Sequence, residues 1–382
     1  MRRAWVLATV LVAGCSNMSL NPVEWFRSAP KVKMAELGEL KNTLPVRTLW
    51  RLDVGAAGTA TFTPAVVGRS VYAAAADGTV MRIDAASGKA LWRVNASGPL
   101  SGGVGADSAL VAVGTGEGEV IALDADSGAL RWRARVSSEV LAAPAITGDL
   151  VLVRSVDSRI FALDARDGRR RWVYQRAGTP LAIRSPVGVT VGRGLAIAGF
   201  PGGKLVALSL ANGGARWEAT VALPRGANEL ERVTDVVGQA VLGEREVCAA
   251  AYQGRVACFD IASGNPVWAR DLSTTSGLAM DARYVFVSDD AGSVHALDRA
   301  GGTSVWKQDR LLRRSLGTPL PLGSALAVAD IQGFVHFLSR DNGQFVARAA
   351  TDGSPVGAYL TPLENGFVVQ TRKGGLYAIS TN

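Results

Sequence analysis

The stretch Asp77-Gly78-Thr79-Val80-Met81-Arg82-Ile83-Asp84-Ala85-Ala86-Ser87-Gly88-Lys89-Ala90-Leu91-Trp92 decides the fold. An Asp-Gly turn opens a run in which apolar residues alternate with small or polar ones, the pattern of a strand with one buried face. An Asp-x-x-Ser-Gly turn follows, and a second short strand ends in Trp92. Upstream, Val71-Tyr72-Ala73-Ala74-Ala75 reads as a further strand that enters the unit through the Asp77-Gly78 hairpin. The unit returns as Gly118 to Trp132, Ser158 to Trp172, Gly203 to Trp217, Gly254 to Trp268 and Gly292 to Trp306. Weaker copies run from Gly333 to Ala347 and from Gly374 to Ile379.

Successive tryptophans from Trp92 to Trp306 are 40, 40, 45, 51 and 38 residues apart. Four short strands in about 40 residues make one propeller blade, and no sustained helical period competes with that reading. Eight turn motifs therefore predict an all-β, eight-bladed β-propeller of four-stranded antiparallel blades. The last copy lacks its Trp strand, and Trp50 lacks the strands before it. The Trp50 strand is thus expected to complete the last blade, begun near residue 358, which closes the ring without an open sheet edge. Residues 44–382 form one domain on this reading.

Composition agrees. Glycine contributes 44 of 382 residues, about 11.5% against a usual ~7%. With 48% hydrophobic and 19% charged residues, the chain is neither disordered nor short of core. The absence of a Gly-x-y period excludes collagen. Lys and Arg exceed Asp and Glu by 41 − 33 = 8, but the basic residues are scattered and only Arg169-Arg170-Arg171 forms a run. That is a solvated β surface, and no nucleic-acid partner is expected.

Residues 1–14 read as an export signal. Met1-Arg2-Arg3 is basic, and the apolar run from Ala4 to Val12 is too short to span a ~30 Å hydrocarbon core. Leu11-Val12-Ala13-Gly14-Cys15 looks like a bacterial lipobox, which makes Cys15 the lipidated first residue of the mature chain. In bacterial lipoproteins an Asp after this Cys favours inner-membrane retention; here Ser16 follows, implying the outer membrane. A triacylated Cys15 holds firmly where a single chain would not. Residues 15–43 then read as the tether.

No catalytic constellation appears. Asp84, Asp124, Asp164, Asp260 and Asp298 fill the same turn in different blades, where an Asp bonds backbone N–H groups two or three residues on. Ser209 and Ser339 fill the slot elsewhere, as a turn allows and a catalytic carboxylate would not. His295 and His336 are 41 residues apart at equivalent blade positions, and no set of zinc ligands has the required spacing. There is no nucleophile elbow, Walker loop or dinucleotide fingerprint. Neither a metal nor a cofactor is expected. Cys248 and Cys258 flank the Gln253-Gly254 turn on adjacent strands. An oxidising compartment favours a disulfide between them, provided the register does not turn one thiol away.

The repeat resembles the pyrroloquinoline-quinone-type propeller repeat. One branch of that family is enzymatic: quinoprotein dehydrogenases, generally longer, many with adjacent cysteines and a calcium-binding acidic set that this chain lacks. The other branch, the BamB lipoproteins of the outer-membrane β-barrel assembly machinery, is similar over essentially the whole chain. Asp309-Arg310-Leu311-Leu312-Arg313-Arg314-Ser315-Leu316-Gly317-Thr318-Pro319 and Asp341-Asn342-Gly343-Gln344-Phe345-Val346-Ala347 carry the likeness. It implies a non-enzymatic scaffold, anchored to the outer membrane and facing the periplasm. The implied partners are the POTRA domains of BamA, other subunits of the machinery, and nascent β-barrels presented by strand addition. The alternatives are a quinone-dependent dehydrogenase and an envelope scaffold unrelated to barrel assembly.

The intervals of 45 and 51 exceed the baseline of 40 by about 5 and 11 residues, and long loops on a rigid ring concentrate function. The first holds Gly178-Thr179-Pro180-Leu181-Ala182-Ile183-Arg184; the second holds Asn228-Glu229-Leu230-Glu231-Arg232-Val233-Thr234-Asp235-Val236-Val237. Leu181 and Ile183 also fit the alternating core of a strand. In BamB proteins the matching places carry Leu-x-Leu-Arg and Asp-x-Asp and contribute to BamA binding. Leu181 and Arg184 match, Ile183 is a conservative departure, Asp235 matches the first acid, and Val237 replaces the second. The resemblance therefore implies partner binding at Leu181, Ile183, Arg184 and Asp235. Asp235 would either orient the Arg184 guanidinium or pair across the interface.

Overall fold

The computed structural model describes residues 33–177, 181–357 and 359–381; the signal segment and Cys15 lie outside them. Within the unit that starts at Met34, the described residues form strands and turns and no helix. Eight sheets follow one another around a ring. Blade 3 is typical: Ala145–Thr147, Leu150–Ser155, Arg159–Asp164 and Arg170–Gln175 pair antiparallel in chain order. The first strands of several blades line a central cavity. Blade 2 carries an extra strand, Thr61–Phe62, parallel to Gly102–Ala106. Blade 8 joins both ends of the sequence. Thr361–Leu363, Gly366–Gln370 and Gly375–Ser380 are completed by Arg47–Asp53, with Trp50 opposite Ala378.

The hydrophobic core is divided among the blade junctions. Between blades 3 and 4, for instance, Leu152, Ile160, Ala162 and Trp172 pack on Ala196, Phe200, Val206 and Leu208. Each junction carries one recurring contact. In the outer strand of blade 3 only Trp172 is buried. A register irregularity sits beside each Trp of this series, and such bulges re-aim side chains. The indole then crosses to the next blade. Its N–H donates to a carbonyl there at 2.8–3.1 Å: Trp50 to Ala85, Trp92 to Ala125, Trp132 to Ala165, and so on through Trp172, Trp217, Trp268 and Trp306. The ring lies close against the glycine of the same turn. At Gly88, with φ +70°, a Cβ would stand 2.6 Å from Trp50 Cγ.

The aspartates of these turns are structural, as the sequence reading has it. Asp84, Asp124 and Asp260 each accept the backbone N–H and hydroxyl of a serine three residues on. Where Ser209 and Ser339 replace the acid, Asn212 and Asn342 supply an acceptor to the turn. Cys248 and Cys258 stand directly opposite in register and are joined by a disulfide.

One junction has no Trp. Blade 7 places the small, buried Ala347 in that slot, opposite Phe337. In blade 8 the third and fourth strands come from opposite ends of the sequence, so no turn joins them to receive an indole. Leu44 and Val46 pack here instead, against a cluster containing Ala347, Phe367 and Ile379, and the N–H groups of Thr43 and Leu44 bond the Val346 carbonyl. The segment before them runs along blade 7. Arg314, 2% exposed, donates to the Ala35 carbonyl, to Asp330 and to Gln332, while Arg348 bonds the Gly38 carbonyl. His336 is fully buried beneath them. Its Nε2 faces Asp330 at 2.9 Å, and its Nδ1 accepts from Arg348 Nε at 3.3 Å, the arrangement of a neutral imidazole.

Trp50→Ala is expected to cost about 3–5 kcal/mol in urea denaturation. Gly88→Ala should also destabilise, but add less in the Trp50→Ala background than in the native chain, because both act on one contact. An unchanged midpoint for Trp50→Ala would mean that ring closure does not rest on this strand.

Burial holds the His336 pKa below 6.5, although Asp330 pulls the other way. A depressed pKa contributes stability that is present above the unfolded value and lost on acidification. Stability should therefore fall as pH drops through and below about 6.5, where the unfolded chain takes up a proton that the folded His336 refuses. The slope over that window should flatten in His336→Gln, measured by urea midpoints across the range.

Candidate partner-docking site

Two irregular connections meet on one end of the ring. The described parts of the first, 176–177 and 181–189, lie between the outer strand of blade 3 and Thr190–Gly192. The second, 221–235, links Ala215–Thr220 of blade 4 to Val236–Leu242 of blade 5. It is shaped by a local cap: Asn228 Oδ1 accepts the Glu231 N–H at 2.9 Å, and the Glu231 carboxylate accepts from Ala227 N–H and Asn228 Nδ2. This leaves Leu223 and Leu230 on the surface, 64% and 73% exposed.

Asp235 ties the two connections together. It is 4% exposed, so it is a buried acid. Its Oδ2 accepts the Ile183 N–H at 2.6 Å and its Oδ1 accepts the Gly202 N–H at 3.2 Å. Its own carbonyl accepts from Tyr252 N–H, and its backbone bridges to Pro201. Two amide donors aimed at one carboxylate fix the course of 181–184 over blade 4.

Asp235 does not orient the Arg184 guanidinium. Glu139, in the connection between blades 2 and 3, does so with both oxygens: Arg184 Nε to Oε2 at 3.1 Å and Nη2 to Oε1 at 2.6 Å. The pair is half open to solvent, with side-chain exposures of 54% and 25%, so it contributes little to stability. It does hold the guanidinium plane in one place. Leu181 is 42% exposed and Ile183 is partly buried; neither belongs to a strand, so the alternating-core reading does not describe them. Val237 is buried beside Val236. The sequence reading missed Glu139 and Gly202. Nothing local marks either one: only the packing of neighbouring blades sets 136–144 beside 181–187 and aims the Gly202 amide at Asp235.

The central cavity, about 400 Å³, gives a direct test of the quinone alternative. It is lined by groups such as Thr61, Pro144, Ile146, Gln239 and Leu360, and by no charged side chain. Tyr359 reaches across it, its hydroxyl accepting the Gln239 N–H from blade 5 at 3.0 Å; burial pushes that phenol up to about 12. A quinone bearing several carboxylates needs cations, and a calcium ion needs carboxylates. These residues do not fit that cofactor. Among the described residues, no cluster of three or more His, Cys, Asp or Glu is placed to hold a metal.

Comparison with known proteins agrees with the architecture. The family model described as outer membrane protein assembly factor BamB matches residues 46–100 and 76–308. The chain is 43% identical over 386 aligned positions to the Bordetella pertussis outer membrane protein assembly factor BamB, covering 100% of this chain and 98% of that one. The Burkholderia pseudomallei protein of the same name is 42% identical, over 98% of this chain and 96% of its own. The crystal structure of BamB from Moraxella catarrhalis superposes with a TM-score of 0.81 at 28% identity, over 88% of this chain and 100% of that one. A quinohemoprotein alcohol dehydrogenase from Comamonas testosteroni shares the fold alone, with a TM-score of 0.69 at 14% identity over 89% of this chain and 77% of its own. The chain belongs to the BamB family.

Proposed function

We propose that this protein is an outer-membrane protein assembly factor that works by docking rather than catalysis. Its partners are the POTRA domains of BamA, and through them the other subunits and nascent β-barrels. Family membership supports the assembly role. The observation that carries the docking surface is the segment 181–184, tied to blade 4 through the Asp235 carboxylate and ending in a guanidinium clamped on Glu139. An exposed leucine beside an immobilised Arg on a rigid ring suits an interface hot spot, because little side-chain freedom is left to lose on binding. Asp235 acts from behind as a positioning residue. Cys15, lipidated after removal of residues 1–14, anchors the chain to the outer membrane facing the periplasm, and residues 15–43 lead to the ring.

Arg184→Glu places two carboxylates together at Glu139 and should weaken capture of a BamA POTRA fragment by at least about tenfold, ~1.4 kcal/mol, with the fold intact. Leu181→Asp should do the same. Unchanged capture by both folded variants would move the surface elsewhere on the ring. Asp235→Ala strands the two amides and should lower stability by about 1–3 kcal/mol in urea as well as weakening capture. For the anchor, Cys15→Ala should abolish incorporation of radiolabelled palmitate; label entering that variant would refute lipidation at Cys15.

A further inference from the structure

Blade 3 places its second strand, Leu150–Ser155, so that a cation occupies a slot where the ring otherwise has small or neutral residues. Register makes the comparison. Each second strand pairs its first residue with the Asp or Ser of the turn, as Ser70 with Asp84, Leu110 with Asp124 and Leu150 with Asp164. Four residues on, the slot holds Gly114 and Gly199, alanines in blades 1, 5 and 7, Ser288 and Gln370. In blade 3 it holds Arg154.

The side chain follows Leu150 and Leu152 on the face that meets blade 4, and its guanidinium carbon lies 5.0 Å from the centre of the buried Phe200 ring. Nη1 is shut off from solvent with no partner, and among the described residues the guanidinium makes no hydrogen bond or ion pair. Burial lowers its pKa to about 10, against the pull of the Asp235 charge, so it remains a cation at neutral pH. A guanidinium with one nitrogen shut off from water and no bonded partner is left unsatisfied in the free ring. The group opens on a cleft of about 130 Å³ that runs under Ile183 and Arg184 and is bounded by Asp235. The other charges there are already engaged: Arg184 by Glu139, and the Asp235 oxygens by two amides.

The geometry points to Arg154 as a second anchor of the docking surface, taking a carboxylate side chain that the partner inserts beneath the 181–184 segment. This rests on the docking reading above. A guanidinium held over an aromatic face keeps donors free for such a fork-to-fork contact.

The test uses the full chain and the POTRA fragment. Arg154→Met keeps the stem on Phe200 and removes the charge. It should weaken capture at least about tenfold while leaving the melting temperature unchanged or higher, since an unsatisfied buried donor is gone. Capture by the native chain should also fall more steeply with added salt than capture by Arg154→Met. Arg154→Lys, with charge but no fork, should lie between the two. Native capture by Arg154→Met, with capture lost in Arg184→Glu, would overturn this inference and leave the docking surface standing. No capture by the native chain would overturn both. A lowered melting temperature in both Arg154 variants with native capture would make the residue structural only, and also overturns it.

Discussion

An indole laid on a glycine holds this molecule together. Seven times around the ring, a Trp leaves the outer strand of one blade, covers the glycine of the next blade's turn, and donates its N–H to a carbonyl there. Two conditions make the contact possible. The bulge beside the Trp turns the ring sideways, and the absence of a Cβ at the turn lets it approach. The acid at the start of the turn fixes its shape by accepting amides on the same loop, so one short motif sets the turn, the glycine and the accepting carbonyl together. Stability is then close to a sum of nearest-neighbour terms, as in other repeat proteins, with closure ensuring that no blade is left with an open face.

Closure explains the single exception. A ring made from one chain must be sewn where the chain begins and ends, and there the third and fourth strands of blade 8 are not joined by a turn. An indole from blade 7 would have no glycine to cover. Ala347 takes the slot, and the chain entering Arg47–Asp53 fills the space with Leu44 and Val46. The Arg314–Asp330–His336 group fastens the residues just before. Arg314 is tolerable at 2% exposure because all three of its donors that point inward are matched, by Asp330, Gln332 and the Ala35 carbonyl.

How much was legible beforehand follows from this division. Blade number, the closing strand and the structural part played by Asp84 and its equivalents are local or periodic, and a repeat writes such features into the sequence several times. The thiols of Cys248 and Cys258 needed the register of one hairpin, which the sequence leaves open and the structure supplies. The two long connections were legible by arithmetic, as the excess of 45 and 51 over 40, but the contacts that hold them were not. Glu139 lies 45 residues from Arg184 and Gly202 lies 33 from Asp235. Those separations acquire meaning only when neighbouring blades are brought side by side, because the ring, and not the local sequence, decides which connections touch. Asp235 shows the same limit: its type suggested a surface ion pair, whereas its neighbours give it two amides and burial.

The regular junctions have little left to offer a partner. Their indoles are bonded, their turn acids are satisfied by their own amides, and their apolar faces are consumed between blades. Departures from the repeat are therefore where free chemistry can sit, and they coincide. The two longest connections both border blade 4, the second ends at the acid that holds the first in place, and the strand beneath carries an Arg where other blades carry glycine, alanine, serine or glutamine. An isolated anomaly of this kind would be a packing accident. Three in one place, where the two long connections meet over blade 4, supply the chemistry on which the proposed docking surface draws.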